Sequence, residues 1–145
     1  MIKKIKILIV TMFLTAFGGV TYASFTDGLN AAIEGDYKTA LKEWQSLADQ
    51  GNASAQYNLG LMYGNGRGVL KDYKQAVKWY QKAADQGGAD AQHNLGVMYA
   101  YGKGVLKDLS KAKYWIKKAY ENPDASASTL ELAEKAWNEL EFWKY

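Results

Sequence analysis

Apolar residues recur along most of the chain at steps of three and four positions, the spacing that places side chains on one side of an α-helix. This pattern predicts a first helix over residues 25–35 and a second over residues 37–49. Asp36 is placed to cap the second helix, and Gly51 follows its end. The side chains predicted to be buried are Phe25, Leu29, Ala32 and Ile33 in the first helix and Ala40, Trp44 and Leu47 in the second.

The next stretch is a 36-residue unit written twice between residues 48 and 119, and 22 of the 36 positions are identical in the two copies. A fixed period of this size is typical of stacked repeats, in which each unit buries its apolar side against its neighbours. Each copy predicts two helices joined by a glycine-rich loop. Gly60 and Gly96 fall inside the first helix of each copy, where glycine costs about 1 kcal/mol relative to alanine. We therefore expect Tyr80 and Ile116 of the second helices to cross over these glycines.

The loop of each copy is expected to bend sharply and return to the core. Val69 and Val105 are the residues expected to turn inward. Asp72 and Asp108 are placed to cap the helices that follow, and Gln75 gives Asp72 the spacing of a capping box. The glycines expected to take positive φ values are Gly64, Gly66, Gly68, Gly102 and Gly104. The residues expected to cover the joints between neighbouring helix pairs are Trp79 and Trp115.

The repeat stops at Pro123, and a last helix is predicted over residues 126–145. A stack of repeats needs a terminal element that covers its open end, and this helix fits that role. Its aromatic end, with Phe142, Trp143 and Tyr145, belongs either to the cap or to a contact surface. The side chains predicted to be buried are Leu130, Ala133, Trp137 and Leu140.

The shared pattern AQxNLGxMYxxGxGVxxDxxxAxxW resembles the Sel1-like repeat (SLR), a relative of the tetratricopeptide repeat. The preceding segment GDYKTALKEWQSLADQG resembles the second helix and turn of a tetratricopeptide unit. The resemblance implies an all-α fold: an α/α solenoid, or superhelix, of helix–turn–helix repeats with a C-terminal capping helix. It also implies a scaffold for protein–protein contacts. The expected division is a helix pair at 24–51, repeats at 52–87 and 88–122, and the capping helix at 123–145.

Residues 1–23 read as a signal peptide, because three lysines precede an apolar run at 7–20 and small residues lead to a cleavage site after Ala23. The run is shorter than the roughly 20 residues that a spanning helix needs. We therefore expect a periplasmic or secreted protein without stable membrane insertion after cleavage, with an uncleaved anchor as the alternative. Removing the three lysines takes the formal net charge from +3 to zero, so no nucleic-acid partner is expected.

Residues suited to catalysis are scarce. His93 is the single histidine, and it has no G-x-S-x-G motif or cysteine to work with, so we interpret it as a partly exposed residue on a helix surface. The pair Gly102-Lys103 lacks the serine or threonine of a phosphate-binding loop. We expect no enzyme, no cofactor and no metal site. Cysteine-rich SLR relatives are linked to penicillin binding or hydrolysis, which gives a cell-wall-related enzyme or β-lactam-binding protein as the alternative; this chain has no cysteine.

Tetratricopeptide-like geometry turns a set of first-helix positions toward an inner groove. These aromatic, amide and aliphatic side chains suit an extended peptide or a protein partner whose identity the sequence does not give. The alternative is that Asn58 and Asn94 recur only to bond neighbouring backbone or loops. A third possibility is an exported effector, or a subunit that works only in an oligomer through its aromatic C-terminal end, and the oligomeric state stays open. The candidate binding residues are Tyr57, Asn58, Leu61, His93, Asn94, Val97 and Tyr101.

Overall fold

The computed structural model describes residues 23–144, and every regular element within them is helical, which confirms the predicted all-α fold. Residues 1–22, nearly all of the predicted signal peptide, and Tyr145 lie outside the described part. The helices are α1 (Phe25–Glu34), α2 (Tyr37–Asp49), α3 (Ala53–Asn65), α4 (Tyr73–Asp85), α5 (Ala89–Tyr101), α6 (Leu109–Tyr120) and α7 (Ala127–Glu139), followed by a short 3₁₀ helix (Phe142–Lys144).

The helices stack in the order of the chain, each against the next, and α7 also contacts α5. Helices α1 and α2, α3 and α4, and α5 and α6 form three helical hairpins. Because successive helices reverse direction, α1, α3, α5 and α7 end at the edge where α2, α4 and α6 begin. We name it the loop edge, since it carries the two glycine-rich loops. This arrangement confirms the α/α solenoid with a C-terminal helix over its last pair.

Aspartate side chains fix where the second helices of the hairpins begin. Asp36, Asp72 and Asp108 each accept a hydrogen bond from a backbone N–H in the first turn of the following helix, at 2.9 to 3.1 Å. The predicted caps are therefore confirmed. The predicted capping box does not form. The N–H of Asp72 donates a hydrogen bond to the Tyr63 carbonyl oxygen at 2.9 Å and not to the Gln75 side chain.

The core is a row of three clusters, each built from neighbouring hairpins. Trp79 of α4 packs with side chains of α1, α2 and α3, and Trp115 of α6 packs with side chains of α4 and α5. Both indoles are buried. Burying an aromatic side chain of this kind stabilises a protein by about 2–3 kcal/mol. The tryptophans therefore cover the joints between hairpins, as predicted.

Helix α1 buries a different side from the one predicted. Leu29 and Ile33 are exposed, whereas Gly28 and Ala31 are buried. The cause is Trp44 of α2, because a Cβ added to Gly28 would lie 2.5 Å from the indole Nε1. The flat indole packs only against a smooth helix surface, so α1 turns its small residues inward. The prediction is wrong for Leu29 and Ile33.

The glycine-rich loops follow the prediction with one exception. Gly64 continues α3 as a helical residue, so its predicted positive φ is wrong. Val69 and Val105 are half-buried and pack against the core clusters, as predicted. The four glycines with φ between 65° and 73° are Gly66, Gly68, Gly102 and Gly104.

The last helix is shorter than predicted. Helix α7 ends at Glu139, and Glu141 takes a positive φ of 52° that reverses the chain. This reversal buries Phe142, whose ring centroid lies 5.4 Å from that of Trp137, and leaves Trp143 exposed. Phe142 therefore belongs to the cap. The buried side of α7 consists of the smaller residues Thr129, Ala133 and Ala136, while Leu130, Trp137 and Leu140 are half-buried.

Candidate binding face

The predicted site residues lie on one face of the solenoid, formed by α1, α3, α5 and α7, which we name the first-helix face. Three depressions run across it, with volumes of about 370, 290 and 240 Å³ in order from the N-terminal end. All seven predicted residues line one of them, so the structure brings the set to one face without merging it into a single groove. The residues in that order are Tyr57 and Asn58; Leu61, Asn94 and Val97; and His93, Val97 and Tyr101.

Tyr57 is engaged inside the protein. Its ring centroid lies 5.9 Å from that of Tyr80, and the Asn94 side chain lies near both hydroxyls. Burial raises the pKa of Tyr57, and the negative charge of Asp90 raises it further. Burial also raises the pKa of Tyr80. Both phenols are therefore neutral at physiological pH.

His93 occupies the position of Tyr57 in the next repeat, but its polar atoms are less well satisfied. It is only 9% exposed, so the predicted partly exposed position is wrong; the cause is α7, which packs against α5. Its buried Nδ1 has no hydrogen-bond partner among the described residues. Burial lowers the pKa of His93, against a smaller opposing effect of Asp90. The ring is therefore neutral, and we assign its proton to Nε2, since a buried N–H without an acceptor is rare.

The depression beside His93 lies between α5 and α7 and is lined mainly by apolar side chains; we name it the α5–α7 groove. Tyr101 and Leu132, on its two sides, are both exposed. Lys135 and Glu139 stand in the same groove and form an ion pair with 3.8 Å between Nζ and Oε1. A groove with apolar walls, a polar ring at its base and paired charges at its rim suits one apolar side chain of a peptide together with its backbone.

Sequence reasoning missed the contribution of α7. The Leu132 side chain lies on a stretch that the predicted stripe places outside the core, and only the packing of α7 on α5 brings it opposite Tyr101. The hydroxyl of Thr129 donates a hydrogen bond to the Asp90 carboxylate, which ties the start of α7 to the start of α5. Leu132 and Thr129 both lie outside the repeated pattern, so the repeat could not predict their roles.

A buried glutamine at each repeat joint was also missed. Gln56 Nε2 donates to the Ala48 carbonyl oxygen at 3.1 Å, and Gln86 Nε2 donates to Gln56 Oε1 at 2.7 Å. Gln92 repeats this arrangement 36 positions later, with its Nε2 donating to the Ala84 carbonyl oxygen at 3.3 Å. The available signal was a polar residue kept at the same position of both copies. These glutamines hold hairpins together rather than line the first-helix face.

Within residues 23–144, no three or more histidine and acidic side chains are grouped in a way that could hold a metal ion. No helix in the same range is long and apolar enough to cross a bilayer.

The family model for the Sel1 repeat matches residues 53–88 and 89–124, the two hairpins that carry all seven predicted site residues. The chain is a Sel1 repeat protein. Among solved structures, it is similar to a Sel1 repeat protein from Oxalobacter formigenes, with 32% sequence identity, a TM-score of 0.69, and coverage of 82% of this chain and 45% of that one. A Sel1 repeat fold of this kind suggests a protein-interaction scaffold.

Two further structures share the fold. One is c5321, a protective antigen present in uropathogenic Escherichia coli strains that displays an SLR fold, with 32% identity, a TM-score of 0.64, and coverage of 78% of this chain and 28% of that one. The other is Helicobacter pylori cysteine rich protein B, with 22% identity, a TM-score of 0.61, and coverage of 74% and 86%. At that identity the last likeness concerns the fold alone.

The Sel1 repeat chain spans less than half the length of the first two structures. Among curated protein sequences, none matches it significantly.

Proposed function

We propose that this Sel1 repeat protein is a non-catalytic scaffold of the bacterial envelope that holds an extended peptide, or an extended segment of a partner protein, on its first-helix face. The observation that carries the proposal is the α5–α7 groove, where the largely buried ring of His93 lies between the exposed side chains of Tyr101 and Leu132. The envelope location rests on the predicted signal peptide.

The groove supports a definite binding mode. An apolar side chain of the peptide fills the space between Val97 and Leu132, and a peptide carbonyl oxygen accepts a hydrogen bond from Nε2 of His93. Lys135 and Glu139 stay paired at the rim and contribute little to affinity. The face is short, and buried area alone does not give tight binding, so we expect a Kd in the micromolar range.

Selection of random peptides on the immobilised protein tests the proposal. Peptides that the wild-type chain retains are titrated against the double variant Tyr101→Ala/Leu132→Ala, in which both exposed walls of the groove are removed. We expect affinity to fall at least about tenfold, the effect typical of central interface residues. His93→Gln keeps the volume close to that of histidine and replaces the ring, and we expect a smaller loss with it.

The matched control is Tyr114→Ala, because Tyr114 is 51% exposed and Tyr101 is 57% exposed, but Tyr114 lies on α6 outside the first-helix face. Equal affinity of the wild-type chain and the groove variant would remove the first-helix face from the proposal. Intact mass of the protein recovered from a bacterial envelope fraction tests cleavage after Ala23, and an uncut chain would favour the uncleaved anchor over the cleaved signal peptide. Absence of the protein from the envelope fraction would contradict the assigned location.

A further inference from the structure

The loop edge carries large apolar side chains that the core does not use. Leu70 and Leu106 occupy the same position in the two repeats, and each is 91% exposed. Six of the ten exposed large hydrophobic side chains among residues 23–144 lie at helix ends or loops of this edge. The other four of the six are Ile33, Tyr101, Leu109 and Trp143.

The two leucines are held outward by the geometry of their loops. In the first loop, Val69 packs into the core, and Gly68 is pressed so closely on the preceding hairpin that a Cβ there would lie 2.7 Å from the Tyr37 carbonyl oxygen. The loop is also fixed at its start, where the Arg67 N–H donates to the Met62 carbonyl oxygen at 2.9 Å. The residue after the inward valine must therefore point to solvent. The second loop repeats this arrangement.

Positive charge surrounds each leucine. Arg67 and Lys71 stand on either side of Leu70, and Lys103 and Lys107 stand on either side of Leu106. No acidic residue lies in segments 65–71 and 102–107, and the aspartates that follow them cap helices. With Asp72 and Asp108 counted against the four flanking cations, the edge keeps an excess of two positive charges, because the other charges near it balance. Those acids are Glu34, Asp36, Glu139 and Glu141, and the bases are Lys38, Lys74, Lys111 and Lys144.

Tyrosine rings complete the composition of this surface. The Nζ atom of Lys71 lies 4.9 Å from the ring centroid of Tyr73, and that of Lys103 lies 5.9 Å from the same ring. Aliphatic tips, flexible cations and tyrosines together are typical of surfaces that rest in the interface of a lipid bilayer, where lysines reach phosphate groups and tyrosines lie at headgroup level.

We propose that the loop edge docks reversibly on membranes that contain anionic phospholipid, with Leu70 and Leu106 entering the boundary between headgroups and acyl chains. The four flanking cations pair with lipid phosphates, and no helix enters the bilayer. A protein partner fits less well, because the centre of a protein interface is depleted of lysine, and here each leucine stands between two cations.

Co-sedimentation with vesicles tests this proposal. The purified chain, with its N-terminus defined by intact mass, is mixed with vesicles of phosphatidylcholine alone or of phosphatidylcholine with phosphatidylglycerol. We expect binding only to the anionic vesicles and a loss with rising salt. Lys71→Gln/Lys107→Gln should weaken binding by about fivefold per lysine. Leu70→Ser/Leu106→Ser should weaken it by at least about tenfold, the loss expected if each leucine buries no more than about one methylene group.

The control variants make the same substitutions, lysine to glutamine and leucine to serine, outside the loop edge. Lys42→Gln/Lys78→Gln removes two exposed lysines that are also 36 positions apart but lie within α2 and α4, and Leu29→Ser/Leu132→Ser removes two exposed leucines of the first-helix face. Both should bind vesicles like the wild-type chain. Equal losses in the loop-edge and control variants, equal binding to neutral vesicles, or a dimer that depends on Leu70 and Leu106 would overturn the proposal.

Discussion

Ile116 of α6 lies directly against the backbone of Gly96 in α5: a Cβ added to Gly96 would lie 2.6 Å from Ile116 Cγ1 and 3.1 Å from the Ile116 nitrogen. Tyr80 covers Gly60 in the preceding hairpin, with Cδ1 2.5 Å from the equivalent position. Both crossings were predicted from the repeated glycine and are confirmed. The two helices of each hairpin approach closely because one of them lacks a side chain at the crossing.

Gly96→Ala should therefore destabilise the protein despite the better helix propensity of alanine. The new methyl group meets backbone atoms, which cannot move without separating α5 from α6. Overpacking of this kind costs about 1–3 kcal/mol, and the gain in propensity offsets about 1 kcal/mol of that. Chemical unfolding followed by circular dichroism measures the difference in free energy of unfolding.

Gly64→Ala is the matched control for that substitution. Gly64 is also a helical residue, but the nearest atom to an added Cβ is the Ala76 Cβ at 3.7 Å, an ordinary contact. This variant should be neutral or more stable by up to about 1 kcal/mol. A stable Gly96→Ala variant would show that the close crossing does not limit the packing of the hairpin.

His93 should make stability depend on pH below about 6.5. Because burial lowers its pKa in the folded state, the unfolded chain takes up a proton first as the pH falls. The contribution of the neutral ring is complete above about pH 6.5, declines as the pH falls below that value, and levels off below the folded-state pKa. One proton limits the slope to about 1.4 kcal/mol per pH unit. Urea unfolding at several values between about pH 7.5 and 5 measures it.

His93→Gln should flatten that slope, because glutamine does not titrate and His93 is the only histidine of the chain. Carboxyl groups titrate mainly below this window. The charges facing the ring are Asp90 on its own helix and Lys135 and Glu139 on α7. An unchanged slope in the variant would assign the pH dependence to another group.

Gln56→Ala should loosen the joint between the first two hairpins. The change removes the donor to the Ala48 carbonyl oxygen and the acceptor for Gln86, which should cost about 1–3 kcal/mol. Combining it with Gln86→Ala in a double-mutant cycle should give a coupling of about 0.5–3 kcal/mol. The readout is the free energy of unfolding in urea.

Gln45→Ala serves as the control for the joint. Gln45 donates to Asp49 within α2 at 3.0 Å on the exposed surface, so its loss should change stability by less than about 0.5 kcal/mol. Additive effects of Gln56→Ala and Gln86→Ala would show that the hydrogen bond between them does not connect the hairpins.

Repetition made much of the fold predictable. Some residues recur at the same place in both copies and have the same role in each. These are the crossing glycines, the capping aspartates and the joint tryptophans, and their roles were predicted correctly. Predictions failed where the chain departs from the repeat. Helix α1 faces Trp44 with glycine, and α7 ends early at Glu139, because each packs against a surface that no repeated position describes.

The candidate site divides in the same way. The sequence placed Tyr57 and His93 at equivalent positions of one face, and geometry then gave them different surroundings: Tyr57 meets Tyr80 and Asn94, whereas His93 lies under α7 with Nδ1 unsatisfied. By itself the sequence determined the helices, the order in which they stack and the face that carries the aromatic and amide residues, because each depends on local spacing. Only the tertiary structure decided which of these side chains are free to meet a ligand, because that depends on the neighbouring helix packed over each one.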